Sequence, residues 1–294
     1  MPHGLLNLNK PAGMTSRQVV DIVQRLVRPL KAGHAGTLDP LATGVLVICV
    51  GKATRLIQYL QQMPKGYTGT FLLGRTSPTE DVEGEVAELS GPPVPSREQI
   101  VAAAQGFRGQ IQQRPPAFSA LKVAGRRAYD LARQGKQVEL QARPVTIYAL
   151  DVVRYDYPEL VLRIECSGGT YVRSLGRDLA ESLGTAAVMS ALVRTAVGPL
   201  ALQEAIDPRE LTGENWHKHL LPMTHAVQSL PRVELTAEDL ARVRNGLAVR
   251  DPRQCSDAWQ SWGDEIAALD PQGELVAILG PRGQGWLGPV RNFL

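Results

Sequence analysis

The feature that most constrains the fold of this chain is the stretch Gly33–Leu46, GHAGTLDPLATGVL. Its one carboxylate, Asp39, directly precedes Pro40, and the apolar run Val45–Val50 follows. Glycine lets backbone approach a ligand closely, and a following proline keeps Asp39 out of the helical region. The pattern indicates a stiff loop that presents a carboxylate beside a buried strand, a placement suited to chemistry. The alternative is an aspartate that only hydrogen-bonds its own turn, as Asp-Pro dipeptides often do.

Composition predicts a globular protein. The chain has 294 residues, enough for one large or two moderate domains, and 44% of them are hydrophobic. Cys49, Cys166 and Cys255 lie far apart, form no C-x-x-C pair and suit a reducing compartment. We find no signal peptide and no apolar run of about 18 residues, the length that would span a bilayer. We therefore expect a soluble, cytoplasmic protein.

The distribution of charge is more informative than the net charge of +3, which by itself does not indicate nucleic acid. The segment Arg108–Arg143 carries eight basic and two acidic side chains, a local charge of +6, whereas residues 80–88 carry five acidic side chains and no basic one. A concentrated basic segment is typical of a phosphate-binding face. The alternative is an ordinary solvated helix and loop.

Helical and strand patterns are interspersed without a regular βαβ rhythm, which favours an α+β fold. Thr15 or Ser16 is predicted to cap one helix and Ser96 another. The further predicted helices are Arg55–Gln62 and Val172–Leu183, and the predicted strands are Leu5–Asn9, Val45–Val50, Tyr67–Leu73 and the hairpin pair Thr146–Val153 and Leu160–Cys166.

The pattern changes near Leu230. A helix is predicted over Ala237–Asn245, capped by Thr236 and ended by Gly246, and strands are predicted over Ile266–Leu269 and Leu275–Leu279. We expect two domains, residues 1–228 and a small β-rich domain over residues 229–294.

Three groups of residues carry a family resemblance. Gly33–Leu46 matches the pattern G-H-x-G-T-L-D-P-x-A-x-G-V-L at every fixed position. Leu8–Ser16, the Gly66-Tyr67 pair and Gly168–Leu175 (GGTYVRSL) fit as well. On these residues the chain resembles the tRNA pseudouridine synthase B family, whose members isomerise a uridine in the T loop of tRNA. The resemblance is strong over about residues 4–200 and looser beyond.

The resemblance implies a fold. It predicts the pseudouridine synthase fold, with a central, mainly antiparallel sheet, and a C-terminal PUA-like RNA-binding domain. One departure from the family is an aromatic-containing insertion at Arg253–Trp262.

The resemblance also implies a reaction and three catalytic residues. Pseudouridine formation breaks the bond from ribose to uracil N1, rotates the base and rejoins it through C5, with no redox change, cofactor or metal. By resemblance Asp39 acts at the sugar, by nucleophilic attack or by proton abstraction, and both remain open. Arg173 pairs with this carboxylate and keeps it ionised. Tyr67 stacks on the target base and assists removal of the C5 proton.

Further residues are assigned to RNA binding by resemblance. His34 fills the gap left by the flipped nucleotide, and Tyr171 and Leu192 line the pocket, although core packing is a credible alternative for both. Lys10 is expected to contact phosphate or the pocket. The segment at about residues 108–143 resembles the family's thumb, which closes over RNA with Lys122, Arg126 and Arg127.

A metal site is not expected. His217, His219 and His225 cluster loosely but lack a cysteine or carboxylate partner at ligand spacing.

The leading interpretation is therefore an isomerase that converts uridine 55 of tRNA and binds the T-arm stem-loop. We expect a monomer with no protein partner and no membrane association. Two alternatives are a tRNA-binding or folding protein with little catalysis, and a guide-RNA-dependent pseudouridine synthase. The basic thumb and the short length favour the stand-alone form.

Overall fold

The computed structural model describes residues 2–118, 122–123, 126–127, 140–251, 264–283 and 285–294, with only the backbone of 122–123 and 126–127. The strands in this part of the chain are β1 (Gly4–Lys10), β2 (Ala32–His34), β3 (Thr43–Val50), β4 (Lys65–Leu73), β5 (Arg75–Thr76), β6 (Ala87–Glu88), β7 (Gly109–Gln113), β8 (Lys122–Val123), β9 (Arg126–Arg127), β10 (Arg143–Asp156), β11 (Glu159–Cys166), β12 (Ala187–Val197), β13 (Leu200–Ala201), β14 (Arg232–Glu234), β15 (Val249–Arg250), β16 (Ile266–Leu269), β17 (Leu275–Pro281) and β18 (Trp286–Asn292).

The α-helices in the same ranges are α1 (Ser16–Leu26), α2 (Ile57–Gln62), α3 (Arg97–Gly106), α4 (Val172–Ser182) and α5 (Ala237–Arg244). Short 3₁₀ helices cover Gly51–Leu56, Leu202–Glu204, Pro208–Glu210, Trp216–His219 and Met223–Val227.

Nine of the described strands form a central sheet in the order β1-β3-β12-β4-β11-β10-β7, with β2 beside β3 and β13 beside β12. Neighbouring strands run antiparallel except β12 and β3, which run parallel over Val193–Arg194 and Thr43–Gly44. The prediction of an α+β fold with a mainly antiparallel central sheet is therefore confirmed.

The predicted helix caps are present. Thr15 accepts a hydrogen bond from the backbone N–H of Gln18, and Ser96 accepts one from the N–H of Gln99, each within a capping box. Helix α1 buries Val19, Val20 and Val23 in the same apolar cluster as the sheet. The segment Arg55–Gln62, predicted as one helix, begins as a 3₁₀ turn and becomes α-helical only from Ile57.

The predicted hairpin is also present, because β10 and β11 pair antiparallel up to Asp156 opposite Glu159. Strand β12, in contrast, is absent from our sequence prediction. It pairs with both β3 and β4 and so lies at the centre of the sheet.

The C-terminal residues form a second sheet in the order β14-β16-β17-β18-β15. Helix α5, capped by Thr236, ends just before Gly246, which has φ +75°. This separate C-terminal β domain is as predicted, and the Arg253–Trp262 insertion lies outside the described residues.

The two sheets share an apolar cluster. Leu56 and Leu60, which follow β3, belong to the same buried cluster as Ile278 of β17 and Phe293. Polar contacts join the same faces, since the hydroxyl of Tyr59 donates to Glu265 Oε2 at 2.8 Å and accepts from Arg291 Nη1 at 2.8 Å. In the part of the chain that the structure describes, no helix is long and apolar enough to cross a membrane.

Candidate active site

Asp39 lies in the loop between β2 and β3, and neighbouring elements hold that loop on both sides. The hydroxyl of Ser16, at the start of α1, accepts a hydrogen bond from the Leu38 N–H at 2.8 Å and donates one to the Leu38 carbonyl at 3.0 Å. The carbonyl of Pro40 accepts from the Gly13 N–H at 2.9 Å. The carboxylate of Asp39 is 36% exposed. A carboxylate on a fixed loop that solvent can still reach is accessible to a substrate.

The carboxylate of Asp39 pairs with Arg173, near the start of α4. Arg173 Nη2 lies 3.1 Å from Asp39 Oδ2, and the arginine side chain is only 9% exposed. The backbone carbonyl of Asp39 closes the turn by accepting from the Ala42 N–H at 3.1 Å. The turn is therefore closed by the backbone carbonyl of Asp39, and its side-chain carboxylate forms an ion pair with the buried Arg173.

Arg173 is shared by two carboxylates. Its Nη1 atom lies 3.1 Å from Oδ2 of Asp81, whose side chain is 4% exposed. The guanidinium also donates to the carbonyls of Thr79 at 2.7 Å and Phe118 at 3.1 Å. Such a fork of bonds fixes the guanidinium plane, so Arg173 keeps one orientation towards Asp39.

The loop that carries Asp81 is attached to β12. The Met189 N–H donates to the Glu80 carbonyl at 3.0 Å, and the Val82 N–H donates to the Met189 carbonyl at 3.1 Å. Glu80 accepts from the Ser174 hydroxyl at 2.8 Å and pairs with Arg177, while burial raises the pKa of its carboxyl. Two acidic residues of this loop thus meet two arginines on α4.

Asp81 and Glu80 were not predicted as site residues from the sequence, where they were counted only among the five acidic side chains of residues 80–88. The signal that could have found them is the spacing of Arg173 and Arg177. Residues four apart lie on one face of a helix, and two arginines on a face that packs against the protein are usually paired with acidic side chains.

Tyr67 lies on β4, opposite Arg194 on β12 and Ile164 on β11. It is 8% exposed. Burial raises the pKa of Tyr67, the adjacent Arg194 guanidinium acts to lower it, and the charge of Asp39 acts to raise it. The phenol is therefore buried and within electrostatic reach of the Asp39 carboxylate.

Lys10 was expected to contact phosphate or the pocket, and of these two alternatives its position does not suit a phosphate contact. Its side chain is fully buried, and its ammonium donates to the carbonyls of Pro11 at 2.9 Å, Met14 at 2.6 Å and Pro40 at 3.2 Å. Burial lowers the pKa of Lys10 to about 8, although the charge of Asp39 acts to raise it. Lys10 holds the loop next to Asp39 and has no donor left for a phosphate.

The other assigned residues surround this centre. His34 is half-buried at the end of β2, and its Nδ1 accepts from the Gly36 N–H at 3.3 Å. Leu192 on β12 is 8% exposed and belongs to the same apolar cluster as Tyr67. The backbone of Tyr171 is held by the buried side-chain amide of Gln113, which donates to its carbonyl at 3.0 Å and accepts from its N–H at 2.8 Å.

The thumb residues Lys122, Arg126 and Arg127 have side chains outside the described residues. Their backbones belong to a short antiparallel pair in which Lys122 faces Arg127. As for metals, the described residues contain no group of three His, Cys, Asp or Glu side chains that could hold an ion.

Comparison with known proteins identifies the family. Residues 24–172 match the model of the TruB family pseudouridylate synthase N-terminal domain. The chain belongs to the TruB family. A TruB-family relative from Dehalococcoides mccartyi, named tRNA pseudouridine synthase B, is 39% identical over 99% of this chain and 96% of its own length. A protein of the same name from Arthrobacter sp. is 42% identical over 100% of this chain and 97% of its own.

Solved structures of related proteins share the TruB-family fold. A chain in the crystal structure of a Cbf5-Nop10-Gar1 complex is 27% identical, with a TM-score of 0.75 over 99% of this chain and 85% of that one. A chain of an H/ACA RNP bound to a substrate RNA containing 2'-deoxyuridine is 26% identical, with a TM-score of 0.73 over 98% of this chain and 84% of that one.

Proposed function

We propose that the protein isomerises a uridine of tRNA to pseudouridine. The observation that carries the proposal is the pairing of Asp39 with the buried Arg173 at 3.1 Å, within electrostatic reach of the buried phenol of Tyr67. A carboxylate that is paired with a buried guanidinium, partly open to solvent, and within electrostatic reach of an aromatic hydroxyl can act on a nucleoside. Membership of the TruB family indicates which reaction this is, namely pseudouridine formation in tRNA.

In the proposed reaction Asp39 acts at the sugar while the bond to uracil N1 breaks. Arg173 fixes the orientation of the carboxylate, because its Nη2 atom lies 3.1 Å from Asp39 Oδ2. Asp81 holds Arg173 from the other side, so that the guanidinium stays in place when Asp39 is engaged with the ribose. Tyr67 stacks on the detached base and receives the C5 proton after the base has rejoined the sugar through C5.

The proposed target is uridine 55 in the T loop. A stacked base must be flipped out before it can reach Asp39, at a cost of a few kcal/mol. We assign His34, at the rim of the same loop, to the space that the base leaves. Tyr171 and Leu192 line the pocket in this proposal, and Lys122, Arg126 and Arg127 contact RNA phosphates.

The protein is proposed to act alone, as a monomer, without a guide RNA. The support is that relatives named tRNA pseudouridine synthase B match nearly their full length at about 40% identity, whereas the chains from Cbf5 complexes reach 27%. We assign catalysis to residues 1–228 and a further RNA contact to residues 229–294. Two buried free thiols, Cys49 and Cys166, fit a reducing cytoplasm as the compartment.

The direct test is to incubate the purified protein with unmodified tRNA transcript and map pseudouridine by carbodiimide labelling and primer extension. We expect one modified position in the T loop and none in a transcript that carries cytidine there. Binding without product would favour the tRNA-folding alternative. Product only after addition of a guide RNA would favour the guide-dependent one.

A further inference from the structure

Arg194, on β12, is a buried arginine that our sequence analysis did not name. It is 2% exposed. Its Nε donates to the Val45 carbonyl at 2.6 Å, and its Nη2 donates to the Gly36 carbonyl at 3.1 Å. These two carbonyls lie on either side of Asp39 in the chain. Arg194 therefore ties together both ends of the loop that carries the proposed catalytic carboxylate.

The sheet is built to bring Arg194 to this position. Strand β12 runs parallel to β3, with Arg194 opposite Gly44, and a Cβ atom at Gly44 would lie 2.2 Å from the Arg194 carbonyl oxygen. Only a glycine with its φ of +98° permits this approach. The glycine that follows the Asp39 turn thus lets the arginine backbone reach the loop.

Among the described residues no carboxylate forms an ion pair with Arg194. Its guanidinium donates to the carbonyl oxygens of Val45 and Gly36 and is a hydrogen-bond partner of the Tyr67 side chain. A buried guanidinium without an acidic partner is costly to keep, so a function for its charge is expected. The group positioned to use that charge is Tyr67, which lies directly opposite Arg194 across β12 and β4.

The surroundings of Tyr67 leave Arg194 as its main stabilising charge. The charged and titratable groups around the phenol are Arg194 on β12, Cys166 on β11 and Asp39 on its loop. Burial raises the pKa of Cys166 to about 11, so it is a neutral thiol at physiological pH. Asp39 disfavours a phenolate at Tyr67, and Arg194 alone of the three favours it.

We propose that Arg194 is a positioning residue for the reaction, which fixes the Asp39 loop through two carbonyls and stabilises a phenolate at Tyr67. This inference rests on the proposed function. Before the step concerned, the Tyr67 phenol releases its proton to solvent, which burial and Asp39 oppose and Arg194 favours. The C5–H bond then breaks, its electron pair restores the double bond of the uracil ring, and the proton passes to the phenolate oxygen, which regenerates the phenol.

The test compares two variants. Arg194→Met keeps the side-chain volume and removes the charge, whereas Arg194→Lys keeps the charge and removes the planar guanidinium that donates to two carbonyls. Arg163→Met is the matched control, because Arg163 is on β11, which β4 separates from β12, with a side chain 65% exposed. Ionisation of residue 67 is followed by ¹⁹F NMR on protein containing 3-fluorotyrosine, with its signal assigned by its absence in Tyr67→Phe. Single-turnover rates and tRNA affinities are measured on the same proteins.

We expect Arg194→Met to raise the pKa of residue 67 by about one unit or more and to slow single turnover by about 10²-fold. Arg194→Lys is expected to leave that pKa within about half a unit and to slow turnover by about tenfold, because one point charge cannot hold both carbonyls. Both variants should bind tRNA within about threefold of wild type, since phosphate contacts dominate affinity. Arg163→Met should match wild type in every measurement.

An unchanged titration of residue 67 in Arg194→Met, or a turnover rate within about twofold of wild type, would overturn the proposal. If Arg194→Met does not fold, Arg194→Lys decides, and a wild-type rate in that variant would overturn it. The titration needs no RNA, so it reports on Arg194 independently of activity. Absence of product from the wild-type protein would instead overturn the proposed function.

Discussion

At the scale of single residues, the site depends on one guanidinium between two carboxylates. Asp81 is 4% exposed and Asp39 is 36% exposed, although both lie 3.1 Å from Arg173. The two aspartates therefore have different environments. The buried Asp81 fixes the arginine, and the more open Asp39 is free to meet a substrate.

Replacing the carboxylate of Asp39 by an amide tests its chemical role. We expect Asp39→Asn to abolish pseudouridine formation and to keep tRNA affinity within about tenfold, because phosphate contacts supply most of the binding. Asp21→Asn, on the solvent side of α1 with a side chain 45% exposed, is the control and should keep full activity. Multiple turnovers by Asp39→Asn would refute the assignment.

Two substitutions separate the hydroxyl of Tyr67 from its ring. We expect Tyr67→Phe to bind tRNA almost normally and to lose about 10²-fold or more in single-turnover rate, because the ring still stacks but no oxygen receives the proton. Tyr67→Leu should lose stacking as well. A purely structural tyrosine would give the opposite order, with Phe nearly silent and Leu mainly lowering Tm. Single-turnover assays and melting curves on both variants distinguish the two.

The buried ammonium of Lys10 makes stability depend on pH in a defined direction. Its pKa is lowered from 10.5 to about 8, so between these values the unfolded chain binds more protons than the folded one. Stability attributable to Lys10 should therefore rise with pH over that window, by at most about 1.4 kcal/mol per pH unit for one proton. Below pH 8 both states are protonated and the contribution is constant.

The measurement is urea unfolding of wild type and Lys10→Met at several pH values. Tyrosines and cysteines titrate in the same pH range but are present in both proteins. Their contributions to the free energy of unfolding therefore cancel in the difference. We expect the difference, wild type minus variant, to increase from pH 8 towards pH 10.5. A flat difference would mean that Lys10 titrates normally despite its burial.

At the scale of elements, sequence patterns predicted those units whose periodicity is regular. Helix α1 and strand β4, whose residues alternate between buried and half-buried positions, are examples. Strand β12 was not predicted from the sequence. Its pairing with β4 shifts register between Met189 and Ala191 and again between Arg194 and Ala196. Each bulge exchanges the two faces of the strand, so the alternation that reveals a strand is lost.

The site was predictable in part for the same kind of reason. Asp39, Tyr67 and Arg173 stand in motifs with local signatures. Asp81 and Arg194 derive their importance from partners that are distant in the chain, and no local pattern reports such a pairing. A run of acidic residues, in addition, usually indicates a solvated surface.

The basic segment at residues 108–143 gives a prediction for an element whose side chains are only partly described. We expect Arg126→Ala with Arg127→Ala to weaken tRNA binding and to reduce the slope of log affinity against log salt by up to about two units, because each arginine that neutralises a phosphate adds about one unit to that slope. Replacing Arg17 and Arg25 of α1 by Ala removes the same charge elsewhere. Equal slopes for wild type and the thumb variant would show that this segment does not contact phosphate.

At the scale of the whole molecule, the two sheets form a common structure through buried and polar contacts. Lys52 Nζ donates to the Phe293 carbonyl at 2.5 Å, and Arg55 lies over the Phe293 ring at 5.5 Å. Arg291 lies over the Tyr59 ring at 5.3 Å and bonds its hydroxyl. The C-terminal domain is thus held against the helical turn that follows β3.

The hydroxyl of Tyr59 tests this junction, because it links Glu265 and Arg291. We expect Tyr59→Phe to lower the free energy of unfolding by about 1 kcal/mol, the usual net effect of losing hydrogen bonds at a part-buried site. A double-mutant cycle with Glu265→Gln, followed by urea unfolding, should give a coupling energy of about 0.5 kcal/mol or more. Tyr148→Phe, on an exposed part of β10, is the control. Strict additivity of the two changes would show that the contact is energetically silent.

The junction between the sheets also determines how late in synthesis the apolar cluster between them can be completed. The contact between Lys52 and Phe293 spans 241 residues. A ribosome that adds about 5 to 20 residues each second needs about 12 to 48 seconds to cover that distance. During that interval the apolar side chains around Leu56 and Leu60 lack the part of their cluster that Ile278 and Phe293 supply. During synthesis the chain therefore exposes part of this apolar surface, and exposed apolar surface is what chaperones bind.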